Sequence, residues 1–233
     1  MFLYDKAVPV NEQVIVDTTA SATPFEGASS KASPPTTIDD TAHTNDRAGK
    51  HYHIWLVNGP AGCGKTTVAE YLADALDMPY IEGDAHHTGE NLDKMRSGTP
   101  LTDADRWDWL TALRDESMRQ IDRGSDGVIM TCSALKRKYR DVIRVAAYYD
   151  HEILVHFIFL NAPVEALLQR VTKRQGHYMG SNMVHSQFKI IERPAEDETD
   201  VISIDADRSI EEVKKDAWAR VCDITKAYQQ DQN

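Results

Sequence analysis

The chain has 233 residues and is acidic, with 26 Lys and Arg against 37 Asp and Glu and a net charge of −11. Such a charge repels nucleic acid and anionic membranes unless basic groups cluster locally, which argues against both as partners. With 41% hydrophobic residues it can bury a core, and its length allows one large domain or one domain plus a tail.

Residues 1–50 differ from the rest. The run "TTASATPFEGASSKASPPTTIDDTAHTNDRAGK" is rich in Ser, Thr, Ala and Pro and has no amphipathic period. It cannot bury enough apolar surface to offset its ordering entropy. It reads as a disordered N-terminal extension, with an edge strand at "VIVD", residues 14–17, as the alternative. The first ten residues have no basic n-region and too short an apolar run for a signal peptide, and they are not Arg-rich enough for a mitochondrial presequence. No apolar run nears the roughly 20 residues that span a bilayer. Cys63, Cys132 and Cys222 are odd in number and widely spaced, which fits neither a disulfide framework nor a CxxC metal site. The expected location is cytoplasmic.

From residue 51 short apolar runs alternate with helical patterns. Residues 53–59, "HIWLVNG", predict a buried strand and 66–76 a helix. A second strand is expected over 79–84. A helix over 102–123 opens with the N-cap candidate Thr102 and acidic residues in its first turn. Strands at 126–134 and 152–160 enclose a helix at 135–149. Helices follow at 163–174, with Pro163 at its first turn, and at 183–192. A fifth strand at 200–206 and a helix at 209–230 complete the pattern. Buried strands alternating with helices imply an α/β fold, a five-stranded parallel sheet with helices on both faces.

The segment "GPAGCGKT" fits G-x-x-x-x-G-K-[ST] at every fixed position, and it follows a strand and opens a helix, the context that makes the motif a phosphate-binding loop. Gly59, Gly62 and Gly64 let backbone N–H groups turn inward, and the helix beginning near Lys65 adds its dipole. Pro60, Ala61, Cys63 and Thr67 complete the expected nucleotide contact. Lys65 is expected to reach the β- and γ-phosphates, and Thr66 to bind the Mg²⁺ that accompanies ATP. A P-loop NTPase fold follows. No N-K-x-D guanine-reading motif is present, and the chain is short for a motor or AAA-type ATPase, so a small-molecule kinase remains.

Its acceptor site is expected beyond the carboxyl ends of the strands. Asp84 follows the second strand, where a carboxylate can orient an alcohol and take its proton. A helix N-cap and an outer Mg²⁺ contact are the alternatives for Asp84. The stretch "EGDAHHTGENLDKM" also suggests zinc through His86, His87 and Glu90, but no fourth ligand stands at a typical spacing. Arg170 and Arg174, four apart, share a helix face. The "QGHYMG" that follows offers Gly176 and Gly180 as hinges of a lid, the alternative being a solvated basic face.

The blocks "GDAHHTGENLDKMRSGTPLTDADRWDWL", "CSALKRKYRD", "RQGHYMGSNMVHSQF" and "ERPAEDETDV" resemble the gluconokinases of the shikimate kinase-like P-loop group. The resemblance runs from about residue 53 to the C-terminus and leaves the first fifty residues unexplained. It departs from the usual pattern at Thr88, where many relatives have Pro. It implies transfer of the ATP γ-phosphate to the 6-hydroxyl of D-gluconate, feeding the pentose phosphate pathway. ATP, D-gluconate and Mg²⁺ are the implied small-molecule partners, and a homodimer is allowed. Lys65, Asp84 and Arg174 are the implied catalytic residues. A helical lid spans about residues 170–190, with Arg170 at its base and His177 at its tip. His87, rather than His86, falls on the family histidine and is expected to contact sugar hydroxyls, with Asn91 and Lys94 on the helix beside it. Arg106, Arg140 and Lys136 are the candidates for the gluconate carboxylate. Trp107 and Trp109 could floor a sugar pocket, core packing being favoured for Trp109. "ERPAEDETDV" suits the loop beside the adenine. The competing readings are a kinase of another small polyol acid and a catalytically silent nucleotide-binding protein. The silent reading predicts decay at Lys65, Thr66, Asp84 or the lid arginines, all of which are present.

Overall fold

The computed structural model describes residues 50–173 and 181–230. The expected disordered extension, with its "VIVD" segment, lies outside the described residues but for Lys50, and so do Arg174, Gly176, His177 and Gly180. In chain order the elements are β1 (Tyr52–Asn58), α1 (Lys65–Leu76), β2 (Tyr80–Ile81), a 3-10 turn (Gly83–His86), α2 (Gly89–Arg96), α3 (Ala104–Asp122), β3 (Gly127–Cys132), α4 (Arg137–Tyr149), β4 (Ile153–Asn161), α5 (Val164–Lys173), α6 (Ser181–Phe188), β5 (Val201–Asp205) and α7 (Ile210–Gln230). The strands form one parallel sheet in the order β2-β3-β1-β4-β5. Among the described residues no helix is long and apolar enough to cross a membrane.

The central strand β1 is buried along its whole length, and its alternating side chains feed two cores. Ile54 and Leu56 pack with Leu110 and Leu113 of α3 and Ile143 of α4. Trp55 and Val57 pack with Val68 and Leu72 of α1 and Val213 and Val221 of α7. Both faces are covered, as the unbroken apolar strands require.

Local chemistry sets the helix starts. Thr102 Oγ1 accepts the Asp105 N–H at 3.3 Å, and the Asp105 carboxylate accepts the Thr102 N–H at 2.8 Å. This reciprocal box makes Thr102 the cap the sequence predicts. Thr88, the point of departure from the family pattern, caps α2 by accepting the Asn91 N–H at 3.3 Å. The expected second strand is cut short at Ile81. Gly83 then meets β3 so closely that a Cβ there would lie 1.9 Å from Thr131 O, and its N–H donates to Thr131 Oγ1 at 3.0 Å. The chain turns into the 3-10 segment instead of continuing the ladder.

Arg140 is a correction to the expected carboxylate ligands. It is fully buried, and its Nε and Nη2 donate to the two oxygens of Glu198 at 2.8 and 2.6 Å. Arg140 Nη1 also reaches Glu192 O at 3.2 Å. Arg144 donates to Glu198 at 2.7 Å and to Asp200 at 2.7 and 2.8 Å, and Arg137 forks onto Asp197. Arg137, Arg140 and Arg144 of α4 thus clamp the 192–200 loop.

On the other side of the sheet His53 Nδ1 and His156 Nε2 lie 3.0 Å apart, with Trp55 stacked on His156 at 4.1 Å and Tyr228 of α7 edge-on to both histidines. Burial pulls His53 down to about 4, helped by His51, and His156 to about 3, helped by His53. Both are therefore neutral in the folded state, whereas in the unfolded chain they take up protons below about 6.5. Stability is full above that pH and declines as pH falls toward about 4, at up to ~1.4 kcal/mol per pH unit for each histidine. Urea midpoints of the wild type should fall between pH 7 and pH 5, and His156→Phe should show a clearly shallower fall. Parallel declines would assign the acid loss elsewhere.

Candidate active site

The carboxyl ends of β1, β2 and β3 converge on a cavity of about 260 Å³. Its floor is the phosphate loop. Gly59 is there at φ 141°, where a Cβ would strike Leu160 O at 2.8 Å and Cys63 Sγ at 2.9 Å. The loop's turn is therefore open to glycine alone at that point. Gly64 caps α1 in the left-handed region without a side-chain bond. The first-turn N–H groups of α1 are left for a ligand, and an anion is what they and the helix dipole attract. Gly62, Gly64, Lys65, Thr66 and Thr67 line the cavity. Lys65 Nζ donates to Pro60 O at 3.2 Å. Cys63 is buried at 2% exposure, and burial pushes its thiol pKa up, so it packs rather than reacts.

Beside Thr66 stands a carboxylate to which the sequence reading gave no role. Glu82 Oε2 accepts from Thr66 Oγ1 at 3.2 Å and Tyr80 OH at 2.5 Å, and its Oε1 accepts from Thr131 Oγ1 at 2.6 Å. Burial alone would raise its pKa. The hydroxyls of Thr131, Tyr80 and Thr66, with the Asp84 N–H, outweigh burial and hold it below the ordinary carboxylate value. Glu82 is thus a fixed anion at the loop's hydroxyl. The available signal was its place two residues before Asp84 at the strand end.

Asp84 lies on the 3-10 turn with its side chain half open to the cavity. Its protein surroundings raise its pKa by desolvation, Lys65 pulls it down, and Glu82 pushes it up, with a net rise. A carboxylate moved in that direction is a better proton acceptor than a free one. His87 Nε2 is 3.9 Å from Asp84 Oδ1, too far for a hydrogen bond. The His87 side chain is only 3% exposed, its ring stacks on Trp109 at 4.0 Å, and its Nδ1 has no partner. Burial, with Arg106 adding, lowers its pKa to about 4. It is a neutral hydrogen-bonding ring rather than a cation. Trp109 is in the core, as favoured, and also fixes this corner: Nε1 donates to Gly83 O at 2.7 Å.

The other expected sugar contacts divide. Arg106 lines the cavity, its Nη1 donating to Leu101 O and, at 2.8 Å, to Thr102 O. Lys136 is drawn away by Asp103 at 2.9 Å, and Asp103 also takes Lys138 and Tyr139. Asn91 is buried with Nδ2 on Asp105 O at 2.6 Å, and Lys94 pairs with Asp105 at 2.6 Å. Asn91 and Lys94 brace α2 against α3 and do not line the cavity. Arg170 sits 3.9 Å from Asp207. Trp107 is at the surface, edge-on to Tyr139. The opposite wall comes from α6, through Met183, Ser186 and Gln187. Among the described residues no three His, Cys, Asp or Glu side chains gather as a metal cluster.

The chain is similar to known proteins over most of its described residues. The family described as an AAA domain matches residues 54–196. The chain is 44% identical over 165 residues to the "Probable gluconokinase" of Schizosaccharomyces pombe, covering 70% of this chain and 85% of that protein. It is 38% identical over 159 residues to the "Thermosensitive gluconokinase" of Escherichia coli K12, covering 68% and 82%. Among solved structures, a gluconokinase from Sinorhizobium meliloti 1021 superposes with a TM-score of 0.67 at 36% identity, covering 78% of this chain and 98% of its own.

Proposed function

This chain belongs to the gluconokinase family, and from that premise we propose that it transfers the γ-phosphoryl group of ATP to the 6-hydroxyl of D-gluconate in the cytoplasm, giving 6-phospho-D-gluconate and ADP. The observation that carries the reading is one cavity bordered by both a phosphate-binding loop and a carboxylate of raised pKa, Lys65 and Asp84. The gluconate 6-hydroxyl approaches Asp84, which orients it and accepts its proton as the oxygen–phosphorus bond forms. The bond from the γ-phosphorus to the bridging oxygen breaks, and ADP leaves with the charge that Lys65 and the α1 N-terminus stabilise. Neutral His87, whose Nε2 stands 3.9 Å from Asp84 at the cavity, is assigned to a sugar hydroxyl. Arg106, the carboxylate candidate that lines the cavity, is assigned to the acid end of the substrate. Arg170 and Arg174 keep the phosphate-side roles that the resemblance implies, at the edge of a lid over about residues 170–190.

Mg²⁺ suits the oxygen donors at Thr66 and Glu82, since it is a hard cation that takes few protein ligands and several waters. Thr66 would bind it and Glu82 would hold one of its waters. When bound, it neutralises phosphate charge.

A coupled ADP-release assay tests the reading across gluconate, 2-ketogluconate, shikimate, glycerate and nucleoside monophosphates. Gluconate is expected to give the highest kcat/KM by at least about tenfold, the low end of the discrimination a pocket gives for one altered group. Equal or better turnover of shikimate or glycerate would replace gluconate as the acceptor.

A further inference from the structure

The reaction so described leaves the glutamine of the S-Q-F block without a role. Gln187 Oε1 accepts the Ala61 N–H at 2.6 Å, a bond between residues 126 apart in sequence. An N–H only donates, so the carbonyl end of the carboxamide must face the loop. This fixes the orientation of the group and turns Nε2, with two hydrogens, away from Ala61. No described residue accepts from Nε2, and Gln187 lines the cavity that Lys65 and Asp84 share. The other α6 side chains on that wall offer no free donor. Ser186 Oγ already donates to Met183 O at 2.8 Å, and Met183 has no polar hydrogen. Val184, fully buried in the same core cluster as Ala61 and Cys63, is three residues before Gln187 and shares its helix face. That packing holds α6 against the loop, so the carboxamide is fixed at both its backbone and its oxygen.

We propose that Gln187 is a further catalytic residue, whose carboxamide is anchored by Oε1 on the Ala61 N–H and presents Nε2 as a hydrogen-bond donor to the phosphoryl oxygens during transfer. This inference rests on the kinase reading above. In phosphoryl transfer the charge spreads over the peripheral oxygens, and stabilisation comes from positioned donors rather than covalent chemistry. A donor locked in place before the reaction needs no reorganisation when the charge moves. Gln187 takes no proton, which goes to Asp84.

Two variants separate this role from simple anchoring. Gln187→Glu keeps an acceptor of the same length for the Ala61 N–H but removes both Nε2 hydrogens. Gln187→Met removes acceptor and donor without adding charge. With ATP and gluconate saturating, and well below both melting temperatures, both variants are expected to lose kcat by about 100-fold, the scale set by one removed transition-state donor. KM for gluconate should stay within about threefold, and the Tm of Gln187→Glu near that of the wild type. Gln187→Glu with kcat within twofold of the wild type would show that anchoring alone matters and overturn the proposal. So would Gln187→Met with wild-type kcat, or losses that extra ATP restores. A wild type that does not phosphorylate gluconate would sink the kinase reading itself, whereas an active wild type with equally active variants sinks only this inference.

Discussion

Asp84→Asn is expected to lower kcat by about 10²- to 10⁴-fold, the range for loss of a positioned general base. ATP affinity should change by less than about threefold, because the phosphate loop, Thr66 and Glu82 are untouched. Asn is isosteric and can still hydrogen-bond a hydroxyl but cannot take its proton, so the loss should fall on kcat at saturating gluconate. A pure KM effect would reduce Asp84 to a positioning group. The pH dependence sharpens the test. Desolvation raises the Asp84 pKa, so the acid limb of kcat/KM should lie above the ordinary aspartate value, with activity lost as pH falls through it. His87, held at about 4, stays neutral across the working range and should add no inflection near 6.5. His87→Asn, which keeps a neutral hydrogen-bonding group, should leave the position of the limb unchanged.

Arg140→Ala is expected to destabilise the fold by about 3–5 kcal/mol, the cost of stranding one member of a buried ion pair. Glu198 has 1% of its side chain exposed, and Arg140, with Arg144 behind it, holds its pKa at about 2. The pair's contribution is thus present above the unfolded carboxylate value of about 4.3 and is lost as pH falls toward about 2, below the histidine window. Arg140→Met combined with Glu198→Leu should recover most of the stability, since an apolar pair of similar volume spares both desolvation penalties. The double variant should also keep KM for gluconate near the wild-type value. A KM increase of tenfold or more with an unchanged Tm would return Arg140 to the substrate and refute its structural assignment.

Arg140 and Arg106 show where sequence reasoning ran out. Both stand in blocks shared with the gluconokinases, and both are forks suited to a carboxylate. Only packing separates them: α4 turns Arg140 into a buried clamp on the 192–200 loop, while α3 leaves Arg106 at the cavity. The same limit applies to Asn91 and Lys94. Their i, i+3 spacing does put them on one face, but that face meets Asp105 across the α2–α3 contact rather than the site. Glu82 and Gln187 show the complementary limit. Glu82 gains its importance from Thr66 and Thr131, and Gln187 from Ala61; these partners lie 16, 49 and 126 residues away.

What the sequence determined by itself was the fold class, the phosphate loop, the Thr102 cap, and Asp84 just beyond the second strand. Each depends on local signals, namely period, glycine spacing and capping chemistry, which act within a few residues. Only the tertiary structure decided which cations face the cavity, which oxygen sits beside Thr66, and how the Gln187 carboxamide is turned. Those outcomes depend on burial and on hydrogen bonds between distant segments, and both come into being only when the sheet brings the strand ends together.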